Sequence, residues 1–349
     1  MLKPILIGIS PNAQFTDVLL ALKLLLQPWL WQTGQFTGRL TAKIKTYFNF
    51  PHVYLTNSAR TALYLGLKSL NLSSAEVLYP SFTCQVVPQA IIKAGLKPIG
   101  YELGQIKAKI TSQTKVLIIQ HLFGIPDDMA FIASLCKKHQ LILIEDLAHS
   151  LGATFKGKKV GSFGEITVLS FGRDKIISSI FGGALLTRKT VQLNMPLPGY
   201  FWIFKQLLHP LIFSLAVPAY YYFGKYLIHL CRKLNLIALP LNQLVPEQLP
   251  NALAGLALHQ WQRLDSFNRH RRQIARLYCQ AFNQPFHPEA TYLRFPLIVK
   301  DPIQLIKLAK LEHLWLGNWY ENKIINLPTH PRMNLSDVQR VVDFIKSHA

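Results

Sequence analysis

Acidic residues are scarce in this chain: 17 Asp and Glu stand against 38 Lys and Arg, a formal net charge of +21 at pH 7 over 349 residues. The shortage excludes an acidic, disordered type of chain, and the surplus of cations must attract polyanions such as nucleic acid, anionic lipid headgroups or phosphorylated substrates. Cysteine is scarcer still. Cys84, Cys136, Cys231 and Cys279 are widely spaced and form no C-x-x-C pair, which indicates neither a disulfide framework nor a zinc site and fits a reducing cytoplasm. Zinc-finger spacing, RNP-type motifs and basic heptads are lacking too, so specific nucleic-acid binding is not expected and the dispersed cations read as a solvated basic surface. Internal repeats and low-complexity tracts are absent. The opening MLKPILIGISPNAQF has one Lys and a short apolar run broken at Ser10-Pro11. It makes a poor secretory signal and reads as a surface arm.

Half of the residues are apolar, and the length suffices for one large α/β unit and a smaller one, each with its own core. From about residue 53 to 187 short apolar runs alternate with amphipathic stretches, the pattern of βα units building a mostly parallel sheet. Strands are expected at Val53-Thr56, Val77-Tyr79, Val116-Gln120, Leu141-Glu145, Ile166-Ser170 and Ala184-Thr187. Helices are expected at Ala59-Leu70, Gln85-Ala94 and Met129-His139. Residues 1–192 thus form the large unit, with the arm at its N-terminus.

Residues 193–245 differ, being strongly apolar and aromatic with Lys, Arg and His at their edges, and no charged residue lies between Lys205 and Lys225. That length is near the lower limit for a membrane span, but His209, Pro210 and Pro218 interrupt it, and Tyr220-Tyr222 beside Lys225 has an interfacial look. The segment reads as an in-plane or re-entrant membrane contact, with a buried dimer or core element as the alternative and a full span as the third. Residues 246–349 read as a long helix, Asn251-Phe282, and a small α/β cap. The helix carries a basic stripe of Arg269, Arg271, Arg272 and Arg276, read mostly as solvated surface, and a last helix starts near Asn334 or Ser336 as cap.

Three pieces carry chemistry, each where a strand hands over to a loop or helix, the place at which α/β sheets bind ligands. In TNSARTAL, Ser58, Ala59 and Arg60 open a helix directly after a strand, and free amides with the helix dipole there suit a phosphate. Ser58 is also an ordinary N-cap candidate. In LILIEDLAHSLGA, a buried strand ends in Glu145 and Asp146 with His149 three positions on. A carboxylate at a strand tip pairs with a buried cation; metal ligation and helix capping stay open. In ITVLSFGRDKIISSIFGGALLT, Lys175 sits in a turn between two strands beside Arg173. A lysine facing a buried site loses its proton readily enough to form an imine, while a surface lysine is the plainer reading. His121, Trp315, Trp319 and Tyr320 lie near these pieces in pattern and read as structural.

Together with YPSFTCQVVPQAI, IIQHLFGIPDDM, IEDLAHSLGA, GSFGEITVLSFGRDK and FGGAL, these motifs resemble the DegT/DnrJ/EryC1/StrS sugar aminotransferases. The resemblance runs through roughly residues 9–190 and resumes at 249–282. It implies the α/β fold of pyridoxal 5′-phosphate (PLP) enzymes of fold type I, a mostly parallel central sheet flanked by helices, with a smaller C-terminal α/β unit. It further implies that Lys175 carries PLP as a Schiff base and shuttles the substrate proton, and that Asp146 holds the ring nitrogen. His149 stands where relatives place Gln near the phenolic oxygen. Ser170 with the Ser58, Ala59 and Arg60 turn would hold the phosphate. A homodimer and transfer from an amino-acid donor, glutamate, to a nucleotide- or lipid-linked keto-sugar are also implied. The sugar dehydratase branch replaces the lysine with His and fits less well.

Two positions depart from the family pattern. Cys84 stands where relatives often set an aromatic ring against the cofactor, and Pro246-Glu247-Gln248 replaces their Asn-aromatic-Arg element. These changes leave room for an alternative, a non-catalytic binding or regulatory protein at the membrane. Apolar side chains of 193–245 and the cation surplus point to a cytoplasmic protein held peripherally at the inner, anionic face of a membrane.

Overall fold

The computed structural model describes residues 4–8, 10–102, 104–237, 244–319 and 323–348. The chain opens with a two-residue strand, β1 (Ile5–Leu6), and helices α1 (Phe15–Leu25) and α2 (Gln35–Phe48). The arm is not a surface feature. Ile5 and Leu6 are buried and pair in parallel with Leu314 and Trp315, because two apolar side chains and an open strand edge are both covered by that docking. Asn12 is buried as well. Its side-chain amide donates to the carbonyls of Lys175 and Ile176, the latter at 3.0 Å.

The large unit then alternates β2 (His52–Thr56), α3 (Ala59–Lys68), β3 (Glu76–Pro80), α4 (Val86–Lys93), β4 (Lys97–Tyr101), β5 (Thr114–Ile119), α5 (Met129–His139) and β6 (Ile142–Asp146). A small hairpin, β7 (Thr154–Phe155) and β8 (Lys158–Lys159), leads to β9 (Ile166–Ser170) and β10 (Gly183–Thr187). Seven strands form one sheet in the order β2-β10-β9-β6-β5-β3-β4. All its neighbours pair in parallel except β10, which runs antiparallel to both β2 and β9. The parallel strands are apolar runs because helices cover both faces; Ile118, Ile144 and Val168 are buried with the inner faces of α3 and α4. Caps fix the helix starts: Ser58 Oγ accepts from the Thr61 amide, and Asp128 accepts from the Ala130 and Phe131 amides. The strand Lys97–Tyr101, whose Pro98 and Gly100 hide its alternation, has no counterpart in the sequence reading.

Helices α6 (Tyr200–Ala216) and α7 (Lys225–Lys233) follow, joined through a π-helical turn at Tyr220–Gly224. Pro210 does not end α6, which continues for six residues beyond it; the break comes at Pro218, and the two helical stretches are bent by 117°. A Cβ on Gly224 would meet the Ala216 carbonyl oxygen at 2.0 Å, so glycine lets the chain fold back at that point. No single described helix is long and apolar enough to cross a membrane.

The expected long helix is two, α8 (Asn251–Trp261) and α9 (Leu264–Phe282), separated where Arg263 leaves the helical region at φ −104 and ψ 3. Its basic stripe is not wholly surface. Arg271 is 1% exposed; burial lowers its pKa to about 9, and one guanidinium nitrogen donates to Asn12 Oδ1. Beyond it β11 (Phe295–Ile298), α10 (Pro302–Leu311), β12 (Leu314–Trp315), β13 (Ile324–Leu327) and α11 (Leu335–His348) wrap the second half of α9. Ile274, Tyr278, Phe295, Leu327 and Val341 form that core. The last helix is closed by a reciprocal pair: Asn334 Oδ1 accepts from the Asp337 amide and Asp337 Oδ2 from the Asn334 amide.

Candidate active site

The reversed strand β10 builds the site. Because it returns beside β9 and pairs with β2, Gly183 stands opposite both Ser170 and Thr56. The C-terminal ends of β2, β6 and β9 and the 171–182 loop therefore share one edge of the sheet. There a cleft of about 260 Å³ is lined by Ser58, Ala59, Arg60, Cys84, Asp146, His149, Ser170 and Lys175, among others. All eight residues singled out in the sequence are thus brought together. Helix α3 points its N-terminus into the cleft. Ser58 caps the Thr61 amide, which leaves the Ala59 and Arg60 amides without intrahelical partners. A Cβ at Gly183 would lie 2.6 Å from the Ala59 nitrogen and 2.7 Å from the Ser58 carbonyl carbon, so only glycine allows the helix start to approach the sheet this closely.

Successive residues of β6 face opposite sides, and the adjacent acids separate accordingly. Glu145, fully buried, accepts from the amides of Gly161 (2.6 Å), Phe163 (2.7 Å) and Gly164 (2.6 Å) and pins that loop. It also lies 3.5 Å from the His121 ring. Asp146 faces the cleft. Its Oδ2 accepts from Gln120 Nε2 at 2.7 Å and its Oδ1 from the Ala148 amide at 3.0 Å. Burial raises the Asp146 pKa, while these donors and the positive charges of Lys175 and His121 pull against it. Gln120 is itself held by the Thr83 hydroxyl. Sequence reasoning missed it, although a polar residue closing an apolar strand was a readable signal.

His149 is 4% exposed and its Nδ1 has no hydrogen-bond partner. Burial first, then Lys175 and Arg294, depress its pKa well below the usual imidazole range, so it is neutral. Trp319 stacks on it at 4.6 Å between ring centroids with 17° between planes. The guanidinium of Arg294 lies 4.3 Å from the Trp319 ring and pairs with Asp174 at 2.7 Å. Trp319 therefore touches the site, against the structural reading given to it. His121 does pack structurally, between Asp127 and Glu145, and Trp315 sits away from the cleft against Tyr220. Tyr320 lies outside the described residues. Cys84 is exposed and on the cleft wall. The 246–248 segment is stitched to its own chain: the Asn57 amide donates to the Glu247 carbonyl at 2.9 Å, and the Asn57 side chain to the Glu247 carboxylate at 3.1 Å.

The residues present fit PLP. A buried carboxylate awaits a cation, a neutral imidazole has an unsatisfied buried nitrogen, and two open amides with the Ser170 hydroxyl form an anion cradle. Among the described residues no cluster of His, Cys, Asp and Glu is suited to a metal.

Comparison with known proteins agrees with this arrangement. The chain is 28% identical over 173 residues to GDP-perosamine synthase of Vibrio cholerae, 47% of each chain. It is 34% identical over 152 residues to the UDP-N-acetyl-3-dehydro-alpha-D-glucosamine 3-aminotransferase of Acidithiobacillus ferrooxidans, 41% of each. The chain thus spans about half the length, or less, of the curated relatives it matches. Its fold superposes on Helicobacter pylori PseC, an aminotransferase involved in pseudoaminic acid biosynthesis, with a TM-score of 0.76 over 99% of both chains at 17% identity. That places the architecture among PLP enzymes of fold type I. Residues 16–193, half of the sequence, match the family profile. The chain therefore belongs to the DegT/DnrJ/EryC1/StrS aminotransferase family.

Proposed function

We propose that this protein is a PLP-dependent aminotransferase that moves an amino group from an amino acid, glutamate, to a keto-sugar in the making of cell-surface polysaccharides or secondary-metabolite sugars. The observation that carries the reading is the convergence of Lys175, Asp146, His149, Ser170 and the α3 N-terminus on one cleft. When bound, PLP supplies a carbonyl that accepts the amino group and a ring that draws electrons from the substrate carbon. Lys175 anchors the group and, as a free amine, takes and returns the proton at that carbon. Asp146 holds the ring nitrogen protonated, and Gln120 keeps the carboxylate oriented. His149 offers its spare nitrogen to the phenolic oxygen. Ser170 and the Ala59 and Arg60 amides bind the phosphate. Trp319, fixed by Arg294, presses His149 in place and shields the wall from water.

A homodimer belongs to this reading, as does a peripheral site at the cytoplasmic face of a membrane. What favours the membrane contact is the exposed aromatic turn Tyr222 and Phe223 with exposed Lys225, Arg232 and Lys233 close behind it. The amination reading is tested by the visible absorption of protein mixed with PLP, before and after borohydride, with Lys175→Ala alongside. A band that requires Lys175 and disappears on reduction, followed by spectral change with an amino donor, is the expected result. No band in the intact protein would reject the enzyme reading and favour a binding or regulatory role.

A further inference from the structure

The α6-α7 segment does not stand alone at the surface. Helix α1 packs antiparallel along α6: Phe15 and Val18 lie across from Pro210, Phe213 and Ser214, and Trp31, just past α1, meets Tyr200 and Phe204 at the other end. The buried side of α1 carries Ala21 and Leu24. Its outward side carries Phe15 (73% exposed), Leu19 (47%), Leu22 (44%) and Leu26 (71%). The spacing i, i+4, i+7, i+11 sets all four on one stripe. Exposed Trp29 extends the stripe, and Leu215 and Phe201 cap it at the two ends of α6. An apolar stripe turned to water is an unpartnered face, far beyond scattered single exposures.

Charge identifies the occupant. No Asp or Glu occurs between Lys175 and Glu247, and none between Asp17 and Glu76. The one acid of α1, Asp17, is buried and tied to Arg263. Lys23, Lys225, Arg232 and Lys233 are exposed along the same elements. A second protein subunit would call for some acidic complement to these cations, and this region has none to offer to a copy of itself. A sheet of anionic headgroups over hydrocarbon answers both properties at once: leucine and phenylalanine enter the acyl boundary, Trp and Tyr sit at headgroup level, and the cations meet phosphates.

We infer that α1 with the Pro28–Leu30 turn and the α6-α7 hairpin form one continuous docking face for an anionic bilayer. This rests on the membrane contact proposed above and adds α1 to it. Trp202, on the inner side of α6, reaches Phe181 of the cleft wall at 6.0 Å, so docking holds the cleft one helix away from the lipid.

The test is flotation of full-length protein with vesicles of phosphatidylethanolamine and phosphatidylglycerol, with phosphatidylcholine vesicles as control. Two variants are compared, Leu19→Ser/Leu22→Ser/Leu26→Ser and Phe223→Ser/Tyr226→Ser. Each is expected to weaken partition, the triple variant by roughly a hundredfold on the transfer scale for apolar side chains, with PLP absorption unchanged, and salt should weaken binding of the intact protein. If the intact protein stays with neither vesicle, the membrane contact itself fails. If only the Phe223/Tyr226 variant loses flotation, the hairpin docks alone and the composite face is wrong. A shift in sedimentation of the triple variant without lipid would mean that a second copy covers the stripe, which also overturns it.

Discussion

Replacing Gln120 by methionine removes the donor to Asp146 Oδ2, a 2.7 Å contact inside a buried cluster, while nearly preserving side-chain length. Hydrogen bonds to a charged group contribute about 1.5–3 kcal/mol. Since about 1.4 kcal/mol is a factor of ten, PLP affinity should fall roughly 10- to 100-fold if Asp146 binds the cofactor as a carboxylate. The pH dependence has a definite sign. Burial raises the Asp146 pKa and Gln120 is among the groups lowering it. Without Gln120 the carboxyl keeps its proton to higher pH, so the loss of affinity is largest on the acidic side and shrinks as pH rises. Thr83→Val, which removes only the donor to the Gln120 carbonyl oxygen, should give a smaller change of the same sign. The assay is titration with PLP followed by visible absorption across pH, with thermal melting as a check on folding. Equal affinity of Gln120→Met and the intact protein at every pH would refute the idea that Gln120 tunes this carboxylate.

Three further outcomes follow from the same neighbourhood. Burial works to lower the pKa of His121, but hydrogen bonds to Asp127 and Glu145 outweigh it and raise the value to about 9. Against an unfolded value of about 6.5, that charge stabilises the fold by on the order of 3 kcal/mol, fully below about pH 6.5 and lost as pH rises through about 9. Urea midpoints should decline over that window and flatten in His121→Gln; a pH-independent midpoint counts against it. Glu145→Gln removes the charge from the contacts with three amides and sets a donor against at least one of them, since Phe163 and Gly164 share one carboxylate oxygen and Gly161 uses the other. It should cost about 3–5 kcal/mol, read as a lower melting temperature with faster amide exchange at 161–164. Gly183→Ala forces a methyl against the backbone of Ser58 and Ala59 and should cost about 1–3 kcal/mol, together with weaker binding of PLP. Unchanged stability and affinity would mean that the contact has slack.

The legible parts of the site are those whose signal is local. Asp146 closes β6, the Ser58 turn follows directly on β2, and Lys175 lies in the short loop between β9 and β10; strand ends are visible as the point where an apolar run stops. Helix Met129–His139 was readable residue for residue, because Asp128 caps it and a lysine pair with His139 closes it. Gln120 and Trp319 were not legible in role, since one acts across β5 and β6 and the other comes from beyond residue 300. Only the folded sheet brings them to Asp146 and His149. The break between α8 and α9 was hidden because WQRLDS contains neither proline nor glycine. Arg271 looked like its solvated neighbours on the stripe, and nothing in an isolated helix pattern says which arginine turns inward.

Asn12 joins three parts of the chain that are otherwise far apart: the arm, the lysine loop and α9. Its amide holds the backbone at Lys175 and Ile176, and its carbonyl oxygen takes the donor of a buried guanidinium. Trimming the first dozen residues to simplify expression would therefore do more than remove a tail. It would take away the hydrogen bond that the buried Arg271 guanidinium makes to Asn12 and slacken the turn that presents the lysine, so a shortened protein that still folds would be a poor guide to the activity of the whole.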